Sequence, residues 1–144
     1  MTDPLAVLRA AGVAPGSAAA GIAAAAVLVA MDARMGEVYA GYYRLRSGQL
    51  QTEFEALCRP EDLLGRFERC DPLVLAGHGF AAHPALRAGM DGAAACFDSA
   101  LPDARHLASK AVMAVREGSA VEAHMLEPVY LRDEVANRSG HSPN

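Results

Sequence analysis

Tryptophan is absent, and four Phe and four Tyr are the only aromatic residues in a chain of 144. The large side chains that anchor a core are therefore scarce, which predicts modest stability or reliance on a partner surface. Lysine occurs once, at Lys110, no Lys/Arg cluster is present, and the formal net charge is −4. A grip on nucleic acid needs a concentrated cationic face, so the balance argues against direct binding by this chain alone. Cysteine is limited to Cys58, Cys70 and Cys96, without a C-x-x-C spacing. An odd count reads as reduced thiols, most of them filling a core, and a zinc site would need closely spaced Cys/His pairs. Long hydrophobic runs are missing as well: the alanine-rich residues 18–31 supply about 14 positions where roughly 20 are needed to cross a bilayer. The flank before them carries Arg9 as its only cation, which does not suit a signal peptide. The expectation is a cytoplasmic protein with no membrane contact.

What is present is 52% apolar residues, much of it alanine, in a length that suits one domain. Residues 4–12 place Leu5, Leu8 and Ala11 at helical spacing, with Asp3 as N-cap and Gly12 as a stop. After Pro15-Gly16-Ser17, the alanines of residues 18–25 favour helix because they lose no side-chain entropy. Residues 1–25 are expected to form a helical lead-in. Val27-Leu28-Val29-Ala30-Met31 is apolar without alternation, as in a strand covered on both faces.

From residue 38 to 46 the pattern has period two, with Val38, Ala40 and Tyr42 against Tyr39, Gly41 and Tyr43. A turn at Ser47-Gly48 leads to a third strand at residues 50–57, with Leu50, Thr52, Phe54 and Ala56 expected on one face. Two successive hairpins make a meander. Pro60, Glu61 and Asp62 suit the first turn of a helix whose stripe is Leu63, Leu64 and Phe67. Asp71-Pro72 breaks it, and Leu73-Val74-Leu75-Ala76 is a short strand running into Gly77-His78-Gly79. One or two helical turns at residues 83–89 and a short strand at 93–97 follow. A longer helix over residues 104–118 turns Leu107, Ala111 and Val115 inward and stops at Gly118.

Six residues are candidates for a cleft or partner-facing site: Asp32, Arg34, Gly36, Glu37, Gly77 and Gly79. A purely structural account suits the first four: Asp32 accepts backbone N–H groups at a strand end, Gly36 supplies a positive φ, and Arg34 pairs with a carboxylate. Gly77-His78-Gly79 could bring backbone N–H groups close to a phosphate, but a plain turn is the commoner use of two glycines. His78, His83 and His106 have no metal-ligand spacing and read as surface or loop histidines. Ser99 and Ser109 lie in no nucleophile elbow. Tyr39, Tyr42 and Tyr43 suit hairpin packing better than base stacking, because the surrounding charge is not basic. No catalytic residue, cofactor site or metal site is expected.

Met31-Asp32-Ala33-Arg34-Met35-Gly36-Glu37-Val38-Tyr39 and the distant Glu127-Pro128-Val129-Tyr130-Leu131-Arg132 together resemble the TsaB (YeaZ) family, over roughly residues 26–135. Gly77-x-Gly79 fits the same pattern. The resemblance implies an α/β fold: a single ribonuclease H-like lobe of the actin-like ATPase superfamily, with a mixed sheet that opens in a three-strand meander flanked by helices. It implies that residues 26–136 are the family's C-terminal lobe; residues 137–144, polar and containing Asn, Ser, Gly and Pro, read from their composition as a disordered tail. The Asp-Thr strand and Gly-Pro-Gly-Ser-Phe-Thr-Gly-like loop of the family's N-terminal lobe do not occur in this sequence.

The resemblance further implies a non-catalytic scaffold or dimerisation subunit supporting threonylcarbamoyl transfer to N6 of the adenosine next to the tRNA anticodon. Its partners would be a TsaD-like catalytic paralogue and a TsaE-like ATPase, with a homodimer also open. Two alternatives stand beside it. A ribonuclease H-like lobe could hold metal ions with Asp32, Glu37 and Asp98 and cleave a phosphodiester. The chain could also be an inactive remnant of a split or truncated gene that lacks the N-terminal lobe.

Overall fold

The computed structural model describes residues 26–46, 49–102, 105–127 and 130–132. The expected helices before residue 26, the turn at Ser47-Gly48 and the expected tail lie outside these residues. Five strands form one sheet: β1 (Ala26–Asp32), β2 (Val38–Arg46), β3 (Gln49–Cys58), β4 (Leu73–Ala76) and β5 (Ala95–Phe97). Their spatial order is β3-β2-β1-β4-β5. β1, β2 and β3 pair antiparallel as the expected meander, while β4 joins β1, and β5 joins β4, in parallel. Helices α1 (Pro60–Leu63), α2 (Gly79–Ala82), α3 (Pro84–Ala88) and α4 (Arg105–Arg116) complete the described elements, with a 3-10 turn at Ala123–Met125. The mixed sheet with helices around it is the expected α/β lobe.

The absence of alternation in β1 has a simple cause. Leu28 and Ala30 face one cluster with Val38, Tyr42, Leu75 and Phe80, whereas Val27 and Val29 face another with Tyr43, Leu45 and Val74. Both faces of the strand are buried, so both must be apolar. The scarcity of aromatics is offset by concentrating them: the Tyr42 and Phe67 rings lie 4.5 Å apart, with Phe54 6.2 Å from Tyr42. Such ring pairs contribute roughly 0.5–1.5 kcal/mol beyond their burial. The Tyr42 hydroxyl donates to the Glu68 carbonyl and accepts from the Cys70 N–H, each at 3.1 Å, so the deepest aromatic carries no orphaned polar atom.

Three expectations need correction. β3 does not keep one face along its length, because the register slips between Tyr42 and Tyr43, where Phe54 pairs with the former and Thr52 with the latter. Glu53 is the extra, bulged residue, and it puts Thr52 on the opposite face from Phe54. α1 ends at Leu63, leaving Leu64 42% exposed rather than in a continuous stripe, although Phe67 still packs against the core. Gly65 and the turn bond from the Arg66 N–H to the Leu63 carbonyl stop the helix after one turn. In α4, Ala111 is exposed and Val115 is 67% exposed. Helical spacing decides which side chains share a face, not whether a neighbour covers it.

Candidate functional site

The end of β1 turns into β2 through a connection whose backbone is unusual. Arg34, Met35 and Gly36 all have positive φ (64°, 56° and 78°). The Glu37 N–H donates to the Arg34 carbonyl at 3.0 Å, and the Ala33 N–H to the Glu37 carbonyl at 2.9 Å. A tight turn with left-handed central residues follows the right-handed twist of the strands it joins, which is why Gly36 sits there. The turn leaves Met35 73% exposed and Arg34 exposed at its tip.

Asp32 precedes the turn at the last position of β1, paired with Val38. Its Oδ1 lies 3.2 Å from Nε2 of His83, the residue between α2 and α3. This hydrogen bond holds the Asp32 carboxyl below its ordinary range, partial burial opposes it, and the Arg34 N–H and guanidinium add to the lowering. His83, read as a surface or loop histidine, lies in the loop between these helices and is a partly buried partner of Asp32 across 51 positions.

Arg132 reaches the same turn from the far end of the described chain. Its Nη2 lies 2.9 Å from both the Ala33 carbonyl and Glu37 Oε2, and its Nη1 donates to Met35 Sδ at 3.4 Å. The Tyr39 hydroxyl, with Glu37 behind it, raises the Arg132 guanidinium above its already high value, so the charge is permanent. The ion pair with Glu37 belongs to Arg132, while Arg34 lends its charge to Asp32.

Between this hairpin and residues 130–132 opens a cleft of about 670 Å³. Val29, Met31 and Gly41 line it on the sheet, together with Tyr39, Tyr130 and Leu131. That volume lies in the range of small-molecule sites. Its polar groups are largely committed: Asp32 to His83, Arg132 to Glu37, and Glu55 to the Tyr43 hydroxyl at 2.6 Å. Burial, with the Glu55 carboxylate adding to it, raises Tyr43 far above the usual phenol range. Nδ1 of His78, another lining residue, is buried with no hydrogen-bond partner.

Gly77 and Gly79 are held for packing. A Cβ on Gly77, whose φ is +106°, would stand 2.3 Å from the Ala30 carbonyl oxygen, and one on Gly79 would stand 2.7 Å from the same atom. The Gly77 N–H is already donated to the Phe97 carbonyl at 3.0 Å, so it is not held open for a phosphate. The structure thus brings Asp32, Arg34, Gly36 and Glu37 together at the turn and puts Gly77 and Gly79 beneath β1. Among the described residues, no group of three or more His, Cys, Asp or Glu side chains could hold a metal ion. Burial raises the Cys58 and Cys96 thiols, which keeps them protonated. No described helix is long and apolar enough to cross a membrane.

His83, Tyr39, Glu55 and Arg132 were not among the sequence candidates. Arg132 had a signal, since it ends the second recognisable motif. His83 had none, because its partner lies on another element and a lone histidine carries no spacing.

No protein-family model matches the chain. A curated relative, the tRNA threonylcarbamoyladenosine biosynthesis protein TsaB of Escherichia coli (strain K12), is 38% identical over 115 residues, covering 76% of this chain and 49% of the relative. Two solved structures are similar in fold. One is described as an uncharacterized protein with similarity to peptidase YeaZ, from Pseudomonas aeruginosa, with 34% identity, a TM-score of 0.62, and coverage of 89% of this chain and 56% of that one. The other, YeaZ from Pseudomonas aeruginosa, has 35% identity and a TM-score of 0.60 over 74% of this chain and 49% of that one. The chain spans about half the length of these relatives.

Proposed function

The chain belongs to the TsaB (YeaZ) family, and on that premise we propose that it acts in the cytoplasm in making threonylcarbamoyladenosine in tRNA. The observation that carries the proposal is its 38% identity to a protein named for that pathway. Its role is that of a non-catalytic scaffold: residues 26–132 make a lobe that supports a TsaD-like transferase and a TsaE-like ATPase, which supply the nucleotide and group-transfer chemistry. The arrangement of the turn supports this reading, because Asp32 and Glu37 are each tied to a basic partner within the chain. Carboxylates so engaged are poorly placed to serve as the metal ligands of a nuclease, and the exposed Asp98 lies on a different strand end. Asp32, Arg34, Gly36 and Glu37 then form a partner-facing edge, while Gly77 and Gly79 shape the strand beneath it.

The test has two arms. Depleting the gene product in its own cell should lower threonylcarbamoyladenosine in total tRNA, read by mass spectrometry of nucleosides, and re-expression should restore it. The purified protein mixed with the TsaD-like paralogue from the same cell should co-migrate on a sizing column. Unchanged nucleoside levels after depletion would remove the pathway assignment, and separate migration would remove the scaffold role.

A further inference from the structure

We propose that the tip of the β1–β2 hairpin is a preformed receptor for a guanidinium group, and that the chain's own Arg132 occupies it. Residues 130–132 are thereby a releasable strap along one wall of the cleft. The acceptors all come from one short stretch: the Ala33 carbonyl, the Met35 thioether and the Glu37 carboxylate. They converge on a guanidinium whose side chain is only 14% exposed. A planar fork of donors can satisfy a carbonyl and a carboxylate at once, which an ammonium group on a flexible stem does poorly.

The receptor does not depend on its occupant for its shape. The Ala33–Glu37 and Glu37–Arg34 backbone bonds close the turn, and the pairs Asp32 with Val38 and Met31 with Tyr39 set the strands behind it. Gly36 holds the tip in its left-handed form. Arg132, by contrast, joins the hairpin from 99 positions away. Its neighbour Tyr130 is 77% exposed, so the arginine contributes the polar fastening that the described strap has to the hairpin. A preformed site filled by a side chain from a distant segment exchanges its occupant without unfolding the sheet.

Chymotrypsin cleavage after Tyr130 and Leu131 under native conditions reads the open strap. Arg132→Ala should raise the cleavage rate on the order of tenfold, as expected for losing charge-assisted hydrogen bonds. Methylguanidinium, well below denaturing concentration, should not reverse that opening, since it fills the receptor without being joined to the strap. It should instead open the strap of the wild-type protein by competing with Arg132, and methylammonium at equal ionic strength should not. Cleavage of a free peptide corrects for effects on the protease. Glu37→Gln should give an intermediate rate, and it carries the test if Arg132→Ala lowers the melting temperature of the whole protein. A wild-type cleavage rate in both variants overturns the strap, and equal effects of methylguanidinium and methylammonium overturn the receptor.

Discussion

The β1–β2 turn and the loop after β4 both carry glycines at the end of a strand, and they use them for opposite reasons. At Gly36 the backbone needs a positive φ, yet a Cβ would meet no atom within 4 Å. At Gly77 a positive φ coincides with direct overlap on the Ala30 carbonyl, and at Gly79 the overlap alone suffices. One turn is constrained by conformation and stays open to neighbours. The other is constrained by contact and is closed to them. Glycine in a recognisable motif is therefore no evidence of a ligand until its surroundings are known.

Substitution at these positions breaks or sharpens the contrast. Gly77→Ala should have the largest effect, about 3–5 kcal/mol lost in urea unfolding, because backbone strain and overpacking against a carbonyl act together. Gly79→Ala should cost about 2 kcal/mol, since the same carbonyl is approached without the strain. Gly36→Ala should cost only about 1 kcal/mol, the ordinary penalty for a left-handed alanine. Equal losses at Gly36 and Gly77 would erase the distinction.

Asp32→Asn probes the polar side of the comparison through pH. The folded-state pKa of Asp32 is lowered, chiefly by His83, so its contribution is present above the ordinary carboxylate value and is lost as pH falls through the folded value. The stability difference between wild type and Asp32→Asn should therefore be full near neutrality and vanish in strong acid. A difference that grows on acidification would contradict the pairing. The smallest effect belongs to Tyr43: in a spectroscopic alkaline titration it should stay protonated well above the usual phenol range. Its early ionisation would mean that the Tyr43–Glu55 hydrogen bond is not maintained.

Much of the lobe could be read along the chain. The run Val27-Leu28-Val29-Ala30-Met31 signalled a strand buried on both faces, and period two in Val38, Ala40 and Tyr42 signalled its antiparallel neighbour. The bulge at Glu53 could not be read, because an extra residue is defined by what lies across the ladder. The exposure of Val115 was hidden for a related reason: its spacing marks a stripe whatever stands opposite. At the site, Asp32, Gly36 and Glu37 were legible as a polar turn next to a strand. Their partners His83 and Arg132 were not, since each lies on a different segment and neither distance nor orientation is written in spacing.

The sequence by itself determined the local order: which residues alternate, where the chain must reverse, and which glycine must take a positive φ. Those choices depend on sterics and solvent preference within a few residues. Tertiary structure alone decided that Gly77 lies beneath Ala30 and that Arg132 closes on Glu37. Such contacts exist only after parallel pairing of β4 with β1 and return of the chain have brought distant surfaces to within a few ångströms.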